Sequence, residues 1–286
     1  PPKIIKAINY EHNWLTRFLK NNAIDAVISD NRFGLWTKTV PCVYITHQLN
    51  LHSPNFALTI LGQKVHYSFI NRYTECWVPD YEENGIAGKL SHPIHPPKTP
   101  LKYIGPLSRL KKKKSKKELD IFVALSGPEP QRTIFEKILA PQIKKSGLKS
   151  VFVRGLPSEI KTSYTDNDHF KMYNHLPSAQ FNEMMQKAEM VICRSGYSSV
   201  MDLIVLGQKA ILVPTPGQTE QEYLAAFLQD KKLFIAASQQ DFSLSVQLEK
   251  AKKFNFQSAG DPQTNLKQVV KNLVERLRAN RKIKGN

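Results

Sequence analysis

Three cysteines in 286 residues, Cys42, Cys76 and Cys193, are too few and too widely spaced for a disulfide framework or a paired zinc site. Cys42 and Cys193 each lie in an apolar run, which predicts small core side chains and, with them, a reducing cytoplasm as the compartment. No stretch of about 18 apolar residues occurs, so no bilayer-spanning helix is expected, and Pro1-Pro2-Lys3 does not open a signal peptide. Acidic residues are scarce, 24 against 41 Lys and Arg, which leaves a formal net charge of +17. Such a surface attracts phosphates, nucleic acid or anionic headgroups, and the charge does not choose among them. Disorder is excluded by a hydrophobic share of 41% with 9% aromatics.

The length suits two domains. The break falls at residues 109–118, where six of the seven residues from Lys111 to Lys117 are lysine, a run that repels itself and reads as a solvated linker. Beyond it, strands are predicted at Leu119–Leu125, Lys149–Val153, Phe170–Tyr173, Met190–Cys193, Ala210–Val213 and Leu233–Ala236. Helices are predicted between them at Gln131–Leu139, Ala179–Lys187, Tyr197–Leu206 and Gln221–Gln229, with a last one at Leu266–Ala279. Val- and Ile-rich strands separated by helices imply a doubly wound α/β domain with a parallel sheet, here residues 119–286. The last helix has an apolar stripe and a basic face, the pattern of a docking helix. Residues 1–108 repeat the pattern more thinly: a helix at Ile4–Leu19, strands at Ala23–Ser29, Cys42–Thr46, Glu75–Val78 and Leu101–Ile104, and a helix at Phe56–Asn71. Opening on a helix without a first strand and phosphate loop, this domain is expected to be incomplete at its start.

Three turns carry the candidate chemistry. Ser126-Gly127-Pro128-Glu129-Pro130-Gln131-Arg132 follows the first strand of the second domain and opens a helix, a geometry that aims backbone N–H groups at an anion. Pro130 suits the first helical turn, and Arg132 is placed to add a charged contact to phosphate; without a ligand this is an ordinary βα turn. Arg194-Ser195-Gly196-Tyr197-Ser198 is the second. Gly196 permits close backbone approach, Ser195 and Ser198 offer hydroxyls, and Asp202, four residues beyond Ser198, is expected to be displayed toward sugar or ribose hydroxyls. The alternative makes Ser195 an N-cap and Asp202 plain surface. In the third turn, Pro214 to Glu222, Thr219 and Glu222 form a capping-box pattern, leaving Gln218, Glu220 and Gln221 at a strand's C-terminal end, where parallel sheets bind ligands. Arg154 ends another strand on the same side. His92 and His95, set among prolines, read as a turn and not as metal ligands.

These residues resemble a family. Arg194-Ser195-Gly196, Asp202, Val213-Pro214 and Gln218 to Gln221 look like the C-terminal domain of the peptidoglycan-precursor N-acetylglucosaminyltransferases and related two-Rossmann-domain (GT-B) enzymes. That family usually has Glu at the Asp202 position and more small residues where Pro128 and Pro130 stand. Pro41 to Asn50, with His47 and Asn50, resembles its strand ending beside the acceptor. The resemblance implies an inverting, metal-independent glycosyltransferase. Its donor is a nucleoside-diphosphate sugar, by default UDP-GlcNAc, with no other cofactor and no metal. Its acceptor is lipid-linked or polysaccharide. The implied place is cytoplasmic, peripheral at the inner face of the membrane, in cell-envelope synthesis.

Such a transfer needs a base for the acceptor hydroxyl and charge stabilisation for the departing diphosphate. His47 and Asp30 are the two candidates for the base, the alternatives being a satisfied loop histidine for His47 and an N-cap or turn-former for Asp30. Ser126, Gly127, Ser195, Gly196, Tyr197, Arg132 and Arg154 are expected around the diphosphate, and Asn50 on the acceptor side. Competing readings are a UDP-sugar hydrolase or 2-epimerase of the same architecture, a non-catalytic binding protein, and a basic nucleic-acid binder. Against the last, the Lys run lacks interleaved aromatics for base stacking.

Overall fold

The computed structural model describes residues 2–51, 56–157, 163–167, 169–260, 262 and 264–284. In chain order the elements begin with α1 (Pro2–Asn21), β1 (Val27–Asp30), β2 (Cys42–Ile45), α2 (Phe56–Ile70), β3 (Glu75–Val78), β4 (Leu101–Tyr103), β5 (Leu119–Ala124) and α3 (Gln131–Ser146). They continue with β6 (Ser150–Val153), β7 (Ser163–Asn167), β8 (Phe170–Tyr173), α4 (Ser178–Lys187), β9 (Ala188–Cys193) and α5 (Tyr197–Leu206). The last are β10 (Ala210–Leu212), α6 (Thr219–Asp230), β11 (Ile235–Ala236), α7 (Leu244–Lys253) and α8 (Leu266–Lys284). Most fall where the alternation of apolar runs and 3.6-residue patterns put them. Two were missed. Strand β7 (Ser-Tyr-Thr-Asp-Asn) is a polar antiparallel edge with no apolar alternation, and α7 is mostly polar with only Leu244 buried.

The chain forms two units, Pro1–Leu107 with Gln263–Asn286, and Ser108–Pro262. The first holds a four-stranded parallel sheet in the order β1-β2-β3-β4. Helix α8 belongs here and not, as its sequence position suggested, to the second unit. Its Leu273 is buried against Val43, Trp77 and Ile104, with Leu266, Val269 and Leu277 alongside. Beneath it the buried Glu75 accepts bonds from Trp77 Nε1 at 2.8 Å, Lys102 Nζ at 2.6 Å and Arg276 Nη2 at 2.9 Å. Docking is therefore both apolar and ionic, and the basic face of α8 has one specific acid to meet. All three cysteines are buried and free.

The second unit is a seven-stranded sheet ordered β11-β10-β9-β5-β6-β8-β7, parallel except for β7. From β5 the chain winds outward through β6 and β8, then returns to β9 on the other side of β5 and winds through β10 to β11. The reversal lies between β5 and β9, the point where doubly wound sheets open a crevice at the strand C-termini. Register puts Ala124 beside Cys193, Val153 beside Ala124 and Leu212 beside Cys193. The turns after β5, β6, β9 and β10 thus leave one end of the sheet side by side. Phe135, Leu139 and Ile143 of α3 pack on Ile121, Val123, Ile192 and Ile211 below them.

The lysine run is not the free linker its charge predicted. It lies in the second unit, where Asn182 Nδ2 and Gln186 Nε2 donate to the Lys111 carbonyl and Lys113 N–H donates to Gln186 Oε1. Lys117 Nζ donates to the carbonyls of Gln186 and Ala188 and to Gln208 Oε1, and burial lowers its pKa. Most of its side chains face water while amides of α4 hold its backbone, which is how so repulsive a run is kept in place.

Candidate functional site

The site builds from the end of β9. Ser195 and Gly196 form the step from strand to helix, and Gly196 is the N-cap of α5 with no side chain capping the helix. A Cβ at Gly196 would meet nothing within 4 Å among the described residues, so this turn is open to them on its outer side. Neighbouring Gly127, at φ +103°, has among the described residues only Thr215 Oγ1 within that range, at 3.7 Å, and Ser126 through Pro130 are exposed. The two glycine turns expected around the diphosphate leave adjacent parallel strands at the same end, with open space at both.

The individual side chains depart from expectation in an informative way. Ser195 is fully buried and donates to the Gln221 carbonyl at 2.7 Å, so its hydroxyl ties α5 to α6 and is not offered to a ligand. Ser198 is exposed. Arg132, expected on phosphate, is buried and paired with Glu129 and Glu136. Arg154 is paired with Glu136 at 2.8 Å and donates to Asn174 Oδ1 at 2.7 Å. Both arginines therefore brace the turn after β6 against α3. Glu129 also accepts from Thr133 N–H, and hydrogen bonds from the Thr133 side chain and from Arg132 lower its pKa. The start of α3 thus already holds a carboxylate, and α5 is the better anion-facing helix.

Asp202 is half-buried, not displayed. It accepts a short hydrogen bond from Ser108 Oγ. Burial raises its pKa, against the lowering effect of the Ser108 bond and of Arg109. The capping box at α6 is also replaced: Gln218 is the N-cap, with no side-chain cap bond, and Glu222 reaches back to the Gly217 N–H at 2.9 Å. Gln221 accepts from Thr215 N–H and donates to Gln218 Oε1, so it shapes the loop. Glu220 is half-buried.

One residue was missed as a site-builder although it stands inside the motif. Arg194 is 1% exposed; its Nη1 donates to the Val213 and Pro214 carbonyls, each at 3.2 Å, and its Nη2 to the Gln131 carbonyl at 2.8 Å and to Gln239 Oε1 at 2.6 Å. Its guanidinium lies 4.7 Å from the Phe135 ring centroid. One side chain thus ties three loops of the same sheet end. An arginine in an otherwise apolar strand-to-turn sequence was the signal.

Gly155 has φ +75°, and a Cβ there would fall inside contact distance of the Leu125 carbonyl oxygen. Gly155→Ala is therefore expected to cost about 2–3 kcal/mol, combining left-handed strain with displacement of the β5 turn. Urea unfolding of the variant and wild type checks this; equal midpoints would show that the turn yields freely.

In the first unit, Asp30 is exposed at the end of β1, and His47 is half-buried just past β2. The register Asp30 to Ile45 puts both at the C-terminal edge of adjacent strands. Asn50, expected on the acceptor side, spends its amide N–H on the Lys89 carbonyl. His92 is fastened to the Glu82 carbonyl and to Ser91, as its reading as a turn residue anticipated. Metal independence rests on the resemblance alone: Asp166-Asn167-Asp168 is an Asp-x-Asp sequence. Asp166 and Asn167 lie in the edge strand β7, and Asp168 is outside the described residues.

A cavity of about 770 Å³ lies at the opposite end of the sheet, lined by Asp120, Glu189, Lys209, Leu244, Leu248 and Phe256 among others. Asp120 and Glu189 sit at the strand starts, so this cavity does not adjoin the glycine turns.

Residues 152–277 match the glycosyltransferase family 28 C-terminal domain. Over 130 residues the chain is 29% identical to the UDP-N-acetylglucosamine–N-acetylmuramyl-(pentapeptide) pyrophosphoryl-undecaprenol N-acetylglucosamine transferase of Haemophilus ducreyi. That stretch is 44% of this chain and 36% of that enzyme, so the match spans about a third of the relative's length. Among solved structures, the kitacinnamycin glycotransferase superposes with TM-score 0.58 at 11% identity, covering 97% of this chain and 79% of that one. MurG of Acinetobacter baumannii superposes with TM-score 0.52 at 14% identity, over 89% and 72%. At these identities the structural likeness is one of fold, and the fold is GT-B: two Rossmann-like α/β units. The resemblance read from residues 193–225 lies inside the matched domain.

Proposed function

We propose that the chain is a glycosyltransferase that moves a hexosamine or hexose from a nucleoside-diphosphate sugar, by default UDP-GlcNAc, to a lipid-linked or polysaccharide acceptor. The observation that carries this reading is the pair of open glycine turns, Ser126-Gly127 and Ser195-Gly196, leaving adjacent parallel strands where the winding reverses, with Asp202 one helical turn beyond. The family 28 match over residues 152–277 supports it.

In this mechanism the diphosphate rests on the backbone N–H groups at the start of α5, whose dipole favours negative charge as the leaving group departs. Asp202 accepts from the ribose hydroxyls, taking over the bond now made by Ser108. Gln218 and Glu220, at the start of α6, present an amide and a carboxylate suited to sugar hydroxyls. His47 or Asp30 removes the acceptor proton, so attack from the face opposite the leaving group inverts the anomeric centre. A lipid-linked acceptor brings the chain to a membrane surface, where a net charge of +17 suits anionic headgroups. Among the described residues no helix is long and apolar enough to cross a membrane, and the attachment proposed is peripheral.

The test is a thermal-shift screen of nucleotide sugars followed by product analysis. One donor is expected to raise Tm by several degrees, and a glycosylated acceptor is expected to form in EDTA. Donor loss without a glycosylated product indicates a hydrolase or epimerase, and no shift with any nucleotide sugar defeats the proposal.

A further inference from the structure

Resting on that reading, we infer that Arg194 is a positioning residue for the donor diphosphate: a buried cation whose charge is left for the diphosphate to neutralise.

Its surroundings are unusual for an arginine. A buried charge costs several kcal/mol unless an opposite charge repays it, and buried guanidinium groups are ordinarily paired with carboxylates. Arg194 has three backbone carbonyl partners from Val213, Pro214 and Gln131, the Gln239 amide oxygen, and the Phe135 ring. Its Nε has no acceptor, and no carboxylate pairs with it among the described residues. Burial depresses its pKa to about 10, well short of neutralising it near pH 7. A full positive charge therefore sits next to the Ser195-Gly196 turn in sequence, with only neutral partners among the described residues. Glu129, just before α3, and Glu136, within it, are spent on Arg132 and Arg154 and so do not offset it.

Place and charge work together. Arg194 immediately precedes the turn that leads into α5, and its guanidinium holds the first carbonyls of the loop after β10 and the first residue of α3. Gln239 completes the brace by donating to Gln131 Oε1 at 2.8 Å. The open side of the Gly196 turn is thus the place where a dianion relieves the buried charge, through a low-dielectric layer where Coulomb attraction is less screened than in water. Arg194 need not touch phosphate to do this.

The test separates charge from architecture by comparing uridine, UMP and UDP binding by calorimetry in the wild-type chain, Arg194→Lys, Arg194→Met and Gln239→Glu. Gln239→Glu sets a carboxylate against the intact guanidinium, so it cancels the charge while Arg194 keeps its own bonds, at the loss of the Gln239–Gln131 bond alone, and it remains informative should Arg194→Met fail to fold. UDP affinity is expected to fall about 10-fold or more in Gln239→Glu and Arg194→Met, UMP affinity less, and uridine affinity less than 3-fold, with Arg194→Lys keeping most of the UDP affinity. Equal losses for uridine and UDP overturn the inference and reduce Arg194 to a structural pin, as does unchanged UDP affinity in Gln239→Glu. Failure of the wild-type chain to bind UDP at all sinks instead the donor-site reading on which the inference rests.

Discussion

Removing the Asp202 carboxylate is expected to weaken nucleotide-sugar binding by about 10- to 100-fold, the range for hydrogen bonds to a charged acceptor, while the isosteric Asp202→Asn makes the protein more stable at neutral pH. The two effects share one cause. Burial raises the Asp202 pKa, so folding favours its neutral form. For a raised carboxylate, the associated stability is fully present below the unfolded value near 3.9 and is lost as pH rises through the folded value. At pH 7.5 the ionised group is therefore a net cost, which the proposed ligand contact would account for, and an amide escapes that cost while still accepting from Ser108 Oγ. Thermal melts of wild type and Asp202→Asn from pH 3 to 8 check the sign: the variant melts higher at pH 7.5 and the gap closes in acid. A gap that does not change with pH contradicts the burial argument, and Asp202→Ala binding the donor as wild type does contradicts the site.

Glu75→Ala carries the largest expected stability loss, about 2–4 kcal/mol: breaking a buried ion pair costs more than this range when both partners are buried, but Arg276 and Lys102 can turn toward water. Trp77 Nε1 also loses its acceptor inside the core. Burial pushes the Glu75 carboxyl up, but the bonds from Lys102, Trp77 and Arg276 outweigh it and hold the pKa below the ordinary value. The sign is opposite to that of Asp202. A depressed carboxylate contributes stability above its unfolded pKa and loses it as pH falls through the folded value. Glu75→Gln is therefore expected to melt several degrees below wild type at pH 7 and to converge with it below about pH 3. Since Arg276 is on α8, protection of the α8 amides from hydrogen exchange should fall in the variant; unaltered protection would show that the apolar stripe of Leu266, Val269 and Leu273 suffices.

The amino-acid order alone determined the two α/β domains, the alternation of strands and helices, and the position of α5 to the residue, because buried parallel strands need continuous apolar runs and helices need a 3.6-residue stripe, both local properties. It also located the Ser195-Gly196 turn, because a small polar pair between an apolar strand and an apolar helix has few other uses. Tertiary structure decided which polar side chains remain for a ligand. Arg154, Ser195 and Asn50 looked available in sequence, yet each has a partner brought in by the fold: Glu136, the Gln221 carbonyl and the Lys89 carbonyl. Arg132 and Gln221 are spent on near neighbours instead, Glu129 and Glu136 three and four residues from Arg132 and Thr215 six from Gln221, pairs that lie within the local sequence. Sequence also could not show that no carboxylate pairs with Arg194 among the described residues, or that α8 packs on β3 some 200 residues upstream. A side chain's partner is set by sheet order and loop packing, which depend on the whole chain, whereas the period of a strand or helix is fixed by its own few residues.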